Sequence, residues 1–201
     1  MNWFLISPEN EHPNELDIIH QLSSYQFSAY HVRKPKWKTA DLTKWLAQFS
    51  EEVLSKIVIH YHYHVASEFP VKGFHMNRDQ RMSDRFQKKI ASIFLTEKWQ
   101  HLSAGFHHID SLKTHDYELT HAWLSPIYPS ISKSKHVKIW DQQTWKVIKK
   151  LRKFEAVALG GITPDKENEL TERGFKSAAV KGYIWQNKQP LKAIENWLIK
   201  G

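Results

Sequence analysis

The sequence predicts an α/β protein, a small single-domain (β/α)8 TIM barrel that spans residues 1–201. Two observations lead to this fold class. Eight short apolar segments recur at fairly even intervals, and segments of helix length separate many of them. Such alternation is typical of a parallel sheet. A chain of 201 residues is also close to the lower size limit of a complete eight-stranded barrel.

The eight predicted strands are short and largely apolar. In chain order they cover residues 3–6, 29–32, 56–59, 71–75, 102–107, 122–125, 156–159 and 178–180. A flavodoxin-like or Rossmann sheet is the alternative architecture. The sequence has no glycine-rich loop after its first strand, which is where a Rossmann fold places its phosphate-binding turn. We therefore favour the barrel.

Helices are predicted from apolar residues at spacings of three and four. The clearest segment covers residues 41–54, and Asp41 is a candidate cap for its first turn. Pro164 and Asp165 start a helix over 166–173, and Gly174 ends it. The remaining predicted helices cover 15–24, 140–154 and 190–199, while residues 65–70 form one or two turns.

Charge and composition narrow the function classes. The chain has 29 Lys and Arg against 21 Asp and Glu, a net charge of +8 without a long basic run. A solvated basic surface is therefore favoured over a nucleic-acid interface. No cysteine is present, which excludes disulfide and thiolate chemistry. Without a signal peptide or an apolar run of ~18 residues, we expect a cytoplasmic protein without membrane contact.

Functional groups in a (β/α)-barrel lie at the C-terminal ends of the strands. Here those ends carry cations, hydroxyls, imidazoles and glycines, and almost no carboxylates. Such a set suits anionic ligands, because guanidinium, ammonium and backbone N–H groups donate to phosphate oxygens. It does not suit catalysis by a carboxylate pair.

Two loops have the strongest phosphate-binding character. The segment Trp123-Leu-Ser-Pro-Ile-Tyr-Pro-Ser-Ile-Ser-Lys133 continues from a strand into hydroxyls and a lysine, and Val157-Ala-Leu-Gly-Gly-Ile162 ends its strand in a glycine pair. Hydroxyls, an ammonium group and backbone without Cβ are what phosphate contacts require. A simple turn also explains Gly160-Gly161, but directly after a buried strand we favour a ligand-binding role.

The histidines offer two further interpretations. His60, His62 and His64 alternate along the chain, which suits a transition-metal site if all three lie on one strand face. A strand that runs into a helix would instead splay them apart, and we favour this second interpretation. His107 can transfer protons near pH 7, and a structural histidine on the barrel rim is the alternative.

Six segments resemble, in order and spacing, the strand ends of thiamine-phosphate synthases and their TenI-like relatives. The loop 124–133 and the run Ala158-Leu-Gly-Gly-Ile-Thr-Pro-Asp165 are the most specific. The other four are His31-Val-Arg-Lys34, Val71-Lys-Gly-Phe-His75, Gly105-Phe-His107 and Ala178-Ala-Val-Lys-Gly-Tyr-Ile184. The resemblance covers nearly the whole chain and implies a (β/α)8 barrel.

The resemblance also implies a reaction. The family joins hydroxymethylpyrimidine diphosphate to thiazole phosphate, giving thiamine phosphate and diphosphate. The pyrimidine C–O bond breaks to a stabilised cation, which the thiazole nitrogen attacks, while the protein positions both partners and neutralises the leaving group. Small phosphorylated substrates are thus the expected partners, and a homo-oligomer stays open. The alternative is a TenI-like protein without synthase activity: a thiazole tautomerase, or a regulator that binds phosphorylated thiazole or thiamine phosphate.

Position by position, the resemblance assigns roles to individual residues. The catalytic candidates are Arg33, Lys133 and His107. The diphosphate would be held by Arg33, Ser130, Ser132 and Lys133. The thiazole phosphate would be held by Gly161, Lys181 and Gly182, and Gly160 is a substrate-binding candidate beside them. Lys34 and His60 are further substrate-binding candidates.

The family's Mg²⁺ is the expected cofactor, and its ligands are altered here. Synthases carry an Asn-Asp pair at the end of strand three, where this chain has His60-Tyr61. A second metal-supporting Asp is replaced by Gln80, which leaves Asp79 as the candidate ligand. Mg²⁺ prefers hard oxygen ligands. The tautomerase histidine of the strand-six loop is replaced by Pro126.

Overall fold

Eight parallel strands form a closed barrel in chain order. A computed structural model of the chain describes residues 1–21, 24–25, 27–96, 99–115, 117–129, 140–150 and 153–198. The strands are β1 Asn2–Ile6, β2 Phe27–Val32, β3 Ile57–Ile59, β4 Gly73–Met76, β5 His101–Phe106, β6 His121–Leu124, β7 Glu155–Leu159 and β8 Ser177–Val180. Because β1 pairs with both β2 and β8, no sheet edge is left open. The predicted barrel and all eight predicted strands are confirmed.

Helices connect most of the strands and cover the outside of the barrel. In the described residues the α-helices are α1 Glu15–His20, α2 Thr39–Leu46, α3 Glu51–Leu54, α4 Arg78–Arg81, α5 Asp84–Thr96, α6 Ile109–Lys113, α7 Gln142–Lys150, α8 Glu167–Glu172, α9 Gly182–Trp185 and α10 Pro190–Leu198. Short 3₁₀ helices cover Tyr63–Ser67 and Pro164–Lys166. Within this part of the chain, no helix has the length and apolar character needed to cross a membrane.

The single helix predicted over 41–54 is wrong, because the structure divides it into α2 and α3. Ser50 starts α3 by accepting a hydrogen bond from the Val53 N–H group. Asp41 lies inside the first turn of α2, where its carboxylate accepts from the Lys38 N–H group at 2.8 Å. The thirteen-residue α5 was not predicted. Gln87 interrupts its buried face beside Ile90 and obscures the apolar spacing.

The core has two parts because side chains alternate along each strand. The larger part lies between the strands and the helices and includes Leu5, Ile18 and Leu46. The smaller part fills the barrel and contains Phe4, Ile6, Ala29, Val58, Trp123, Val157 and Ala179. Phe4 and Leu5, which are neighbours in the chain, therefore belong to different cores. Two aromatic side chains occupy much of the barrel interior beside small alanines.

A buried ion pair ties the segment after β2 to α1. The Lys34 ammonium lies 2.6 Å from Glu15 Oε2 and donates to the Asn10 carbonyl oxygen at 3.0 Å. Tyr30 Oη donates to the other Glu15 oxygen at 2.8 Å. Burial raises the pKa of Glu15, so the carboxylate depends on these donors. The network holds the connection between β1 and α1, which forms one side of the barrel rim.

We expect Lys34→Met to lower the free energy of unfolding by about 3–5 kcal/mol, because it leaves Glu15 buried without a counter-ion. Urea denaturation measures the change. The matched control is Lys113→Met, which removes an ammonium 3.6 Å from Asp110 in a pair whose side chains are 52% and 87% exposed. That change should cost less than about 1 kcal/mol. Equal losses in the two variants would contradict the role given to the buried pair.

Candidate active site

A cavity of about 660 Å³ opens at the C-terminal ends of β7, β8 and β1. Four residues predicted to bind phosphate line it together: Gly160, Gly161, Lys181 and Gly182. The opposite wall consists of the connection after β1, with Glu9 and His12, and of Trp185 from α9. Trp185 Nε1 donates to the Ile6 carbonyl oxygen at 2.6 Å, which fixes α9 against β1.

The glycine pair allows the loop after β6 to pack directly on the loop after β7. The Ile127 N–H group donates to the Leu159 carbonyl at 2.9 Å, and the Tyr128 N–H group to the Gly160 carbonyl at 3.1 Å. Gly160 and Gly161 both have positive φ angles, 94° and 63°. A Cβ atom on Gly161 would lie 2.8 Å from Tyr128 Cβ. The two motifs recognised in the sequence are therefore in contact.

Two predicted phosphate-binding cations converge on one carboxylate. Lys181 Nζ lies 2.9 Å from Glu9 Oε1, and Arg33 Nη1 binds the same oxygen. The hydrogen bond from Lys181, together with the positive charges of Lys181 and Arg33, lowers the pKa of Glu9. All three side chains are more than a third exposed. The Glu9 carboxylate thus lies between two cations in an open position that suits an anionic oxygen of a ligand.

The remaining predicted residues do not all reach this cavity. The Lys34 ammonium is 2% exposed and is held by Glu15. His107 lies on the rim, where its Nδ1 contacts the Ser125 carbonyl oxygen at 2.7 Å. A carbonyl only accepts hydrogen bonds, so Nδ1 is the donor of this contact. Asp79 is exposed on α4. Ser130, Ser132 and Lys133 lie outside the described residues, so their roles stay predictions.

The inside of the barrel carries buried imidazoles below the rim. His31, His60 and His75 come from β2, the end of β3 and β4. His31 Nδ1 lies 3.1 Å from His60 Nε2, and the rings of His60 and His75 stack at 4.3 Å. His75 Nδ1 contacts Ser103 Oγ at 2.8 Å, and the same hydroxyl contacts His101 Nε2 at 2.8 Å. A polar layer therefore crosses this half of the barrel.

The predicted separation of the His60, His62 and His64 run is found for His60 only. The rings of His62 and His64 stay close, with centroids 6.2 Å apart, and both contact Thr39 Oγ1. His62 adopts the left-handed conformation with φ 56°, immediately before the 3₁₀ helix that contains His64. Its Nε2 lies 2.8 Å from the Trp37 carbonyl oxygen. Only His60 of the three joins the buried imidazole layer.

Comparison with known proteins agrees with this architecture. Residues 3–184 match the family model described as thiamine monophosphate synthase. The chain belongs to the thiamine monophosphate synthase/TenI family. The resemblance predicted from six strand ends is confirmed.

Individual relatives of the family are distant. The thiamine-phosphate synthase of Lactococcus lactis subsp. cremoris (strain MG1363) is 23% identical over 165 residues, which cover 82% of this chain and 73% of the relative. The thiamine phosphate pyrophosphorylase of Bacteroides thetaiotaomicron has a TM-score of 0.72 at 23% identity, with 98% of this chain and 94% of that chain covered. The corresponding Pyrococcus furiosus structure has a TM-score of 0.74 at 13% identity, with 98% and 93% covered. The solved structures support the fold.

The residues in the described part of the chain do not fit the Mg²⁺ expected from the synthase family. Gln80 accepts a hydrogen bond from the Asn77 N–H group at 2.9 Å, and Asn77 Oδ1 accepts one from the Gln80 N–H group at 2.9 Å. Gln80, which stands where the family has an Asp, therefore caps α4. Within the described ranges, the group of three or more metal-type side chains consists of His31, His60 and His75 alone. Imidazole nitrogens are poor ligands for Mg²⁺, and Asp79 is not part of this group.

Sequence reasoning missed two parts of the site. Glu9 lies beyond the end of β1 and carries no motif, although a carboxylate on a basic rim is a signal for an ion pair. His31 lies one residue before the end of β2, and alternation with Ala29 predicts that it points into the barrel. Neither residue is the last one of its strand, which is where barrel enzymes most often place functional groups.

We expect Gly161→Ala to destabilise the protein, because a left-handed residue with a Cβ costs about 1–2 kcal/mol and this Cβ also meets the β6 loop. Thermal unfolding measures the change. Gly182→Ala is the matched control: its Cβ would lie 3.5 Å from Gln186 Oε1, and alanine favours the helix that Gly182 begins. An unchanged melting temperature in Gly161→Ala would show that the contact between the β6 and β7 loops has room for a Cβ atom.

Acid should destabilise the protein through its buried histidines. Burial lowers the pKa of His31, His60 and His101 well below the usual value, and that of His75 to about 3. These rings take up protons near pH 6.5 only in the unfolded chain. Proton binding to these rings therefore favours the unfolded chain. The free energy of unfolding has its full value above about pH 6.5 and decreases as the pH falls towards 3.

Urea denaturation at several pH values checks this expectation. Between about pH 6 and 5, the free energy of unfolding should fall by more than about 1.4 kcal/mol, the value for one fully titrating ring. His101→Gln should make the dependence shallower, whereas the exposed His108→Gln should leave it unchanged. A stability that is constant over this interval would contradict the neutral state of the buried rings.

Proposed function

We propose that the protein is a transferase that joins hydroxymethylpyrimidine diphosphate to thiazole phosphate, giving thiamine phosphate and diphosphate. The observation that carries the proposal is the cavity beside β7, β8 and β1. This one cavity is lined by Gly161, Lys181 and Gly182, which the family resemblance assigns to the thiazole phosphate, and by the neighbouring Gly160. Loops after strands seven and eight are also a frequent phosphate site in (β/α)8 barrels. Membership of the synthase family supports the same chemistry.

The positions of the charged side chains at the rim support separate binding sites for the two substrates. Lys181 and the glycine backbone hold the thiazole phosphate, and Arg33 faces the leaving diphosphate. The two cations are brought together by Glu9, so the two anionic groups bind close to each other. Such positioning converts a reaction between two free substrates into one within a single complex. Neutralisation of charge on the leaving group lowers the barrier further.

Glu9 has a specific part in this proposal. Its carboxylate accepts from Lys181 and Arg33, as a phosphate oxygen would. A phosphate carries more charge and more acceptor oxygens than a carboxylate and forms strong charge-assisted hydrogen bonds. It therefore displaces Glu9 from one or both cations when it binds. Glu9 in turn limits the repulsion between the cations before the substrates arrive.

A second candidate function rests on the replaced metal ligands. With Gln80 engaged in the α4 cap and His60-Tyr61 at the end of β3, the described residues lack the hard-oxygen set of a synthase. A TenI-like protein that binds phosphorylated thiazole or thiamine phosphate needs only the phosphate side of the site. Such a protein would act as a tautomerase or a regulator without forming thiamine phosphate.

One experiment separates the two candidates. The purified chain is incubated with both precursors and Mg²⁺, and thiamine phosphate is followed over time, with binding of thiamine phosphate measured by calorimetry. Product formation that depends on the protein supports the transferase. Binding without any product supports the second candidate, and the absence of both contradicts the assignment of the cavity.

We expect Lys181→Ala to weaken binding of thiazole phosphate by about tenfold or more, since a hydrogen bond to a charged group contributes about 1.5–3 kcal/mol. Calorimetry measures the affinity. Lys176→Ala is the matched control, because the exposed Lys176 precedes the opposite end of β8. It should leave the affinity unchanged. Unchanged affinity in Lys181→Ala would remove the phosphate site from this cavity. Lys133→Ala tests the predicted β6 loop through the affinity for diphosphate.

A further inference from the structure

We propose that His31, His60 and His75 bind one divalent transition-metal ion of the zinc type inside the C-terminal half of the barrel. The site is separate from the cavity of the proposed thiazole phosphate and does not rest on the proposed reaction. His31 and His75 lie in β2 and β4, and His60 directly follows β3. The His60 N–H group donates to the Val32 carbonyl at 3.2 Å, so the barrel fixes the backbone of every ligand.

The distances between the rings fit a metal site. Each ring offers one nitrogen such that the three nitrogens lie within 4.8 Å of one another. One pair, His31 Nδ1 and His60 Nε2, is already at 3.1 Å. A tetrahedral site with Zn–N bonds of about 2.0–2.1 Å places its nitrogens about 3.3 Å apart. The rings of His60 and His75 are stacked with an interplanar angle of 19°, so they must turn to direct their in-plane lone pairs at one ion.

The surroundings orient the ligands. Ser103 Oγ contacts His75 Nδ1 at 2.8 Å and leaves Nε2 of that ring available. Metal-binding histidines typically have such a partner on the second nitrogen, which fixes the ring and its tautomer. In His31 the second nitrogen, Nε2, is buried without such a partner. This ring is held instead by its packing against Phe4 and Trp123.

The donor set selects the class of ion. Three imidazoles suit zinc, copper, iron or nickel and do not suit Mg²⁺. Phe4 and Trp123 pack against His31, with ring centroids at 5.5 and 4.3 Å. This apolar wall keeps water from one side of the cluster, so the three imidazoles must compensate for the desolvation of a bound cation. The positive charge of Arg33 repels a bound cation, but this charge is paired with the Glu9 carboxylate.

The cluster is least buried at His60 and His75, and His60 directly follows the C-terminal end of β3. His60 and His75 retain 6% and 9% exposure, whereas His31 is fully buried. Sites with three protein ligands keep a fourth position for water or a ligand oxygen. An ion held here therefore presents its fourth position towards the rim. Oxyanions that enter from the side of Arg33 are the class of ligand it would take.

The test uses the full chain without a polyhistidine tag, freed of metal by a chelator. Titration with Co²⁺ should give the visible absorption of tetrahedral cobalt with a stoichiometry of one, and Zn²⁺ should displace it. His75→Gln should weaken Zn²⁺ binding by at least about 100-fold, beyond the ~10–100-fold cost of changing an outer partner. The control is His64→Gln, which removes an exposed histidine outside the cluster and should leave binding unchanged.

His60→Gln is the second ligand variant, because His60 follows β3 and lies nearest the rim. Circular dichroism establishes that each variant is folded. If neither folds, crystals of the unsubstituted chain soaked in Zn²⁺ decide the question through the anomalous signal. A zinc peak between the three rings supports the proposal. No binding, equal losses in His75→Gln and His64→Gln, or a zinc peak elsewhere would overturn it and leave the rings as a hydrogen-bonded layer.

Discussion

Hydrogen bonds between β1 and β8 close the sheet, and closure divides the side chains of each strand between two environments. One set packs under the helices, and the other must fit inside the barrel. The interior holds Phe4 and Trp123 beside alanines, which leaves room for polar rings near the C-terminal end. The same closure brings eight strand ends to one rim, where residues distant in the chain, such as Glu9 and Lys181, come into contact. The barrel thus determines both the imidazole layer and the charged rim.

The fold was predictable because each strand is a short apolar run with its own local signal. Helices were less so. The segment 41–54 has continuous apolar spacing, but Ser50 starts a new helix by a local hydrogen bond that periodicity does not reveal. In α5, the buried Gln87 interrupts the expected apolar face. Tertiary packing, not local spacing, decides both cases.

The candidate site was predictable where residues at a strand end suit phosphate binding and, among the described residues, have no buried ion-pair partner. Gly160, Gly161, Lys181 and Gly182 were recognised together and line one cavity. Lys34 was grouped with them because a lysine after a strand suits phosphate, yet the fold gives its ammonium a buried carboxylate partner. The convergence of Arg33 and Lys181 on Glu9 joins residues 24 and 172 positions apart, a relation that only the closed barrel creates.

The contact between the β6 and β7 loops has a consequence for how sequences of this kind can differ. Its hydrogen bonds run from the Ile127 and Tyr128 N–H groups to the carbonyls of Leu159 and Gly160, so they involve no side chain. Substituents on the β6 loop can therefore change chemistry without releasing the loop from its neighbour. The scaffold and the selectivity of the rim are thereby separable, and new ligands can be accommodated on an unchanged backbone.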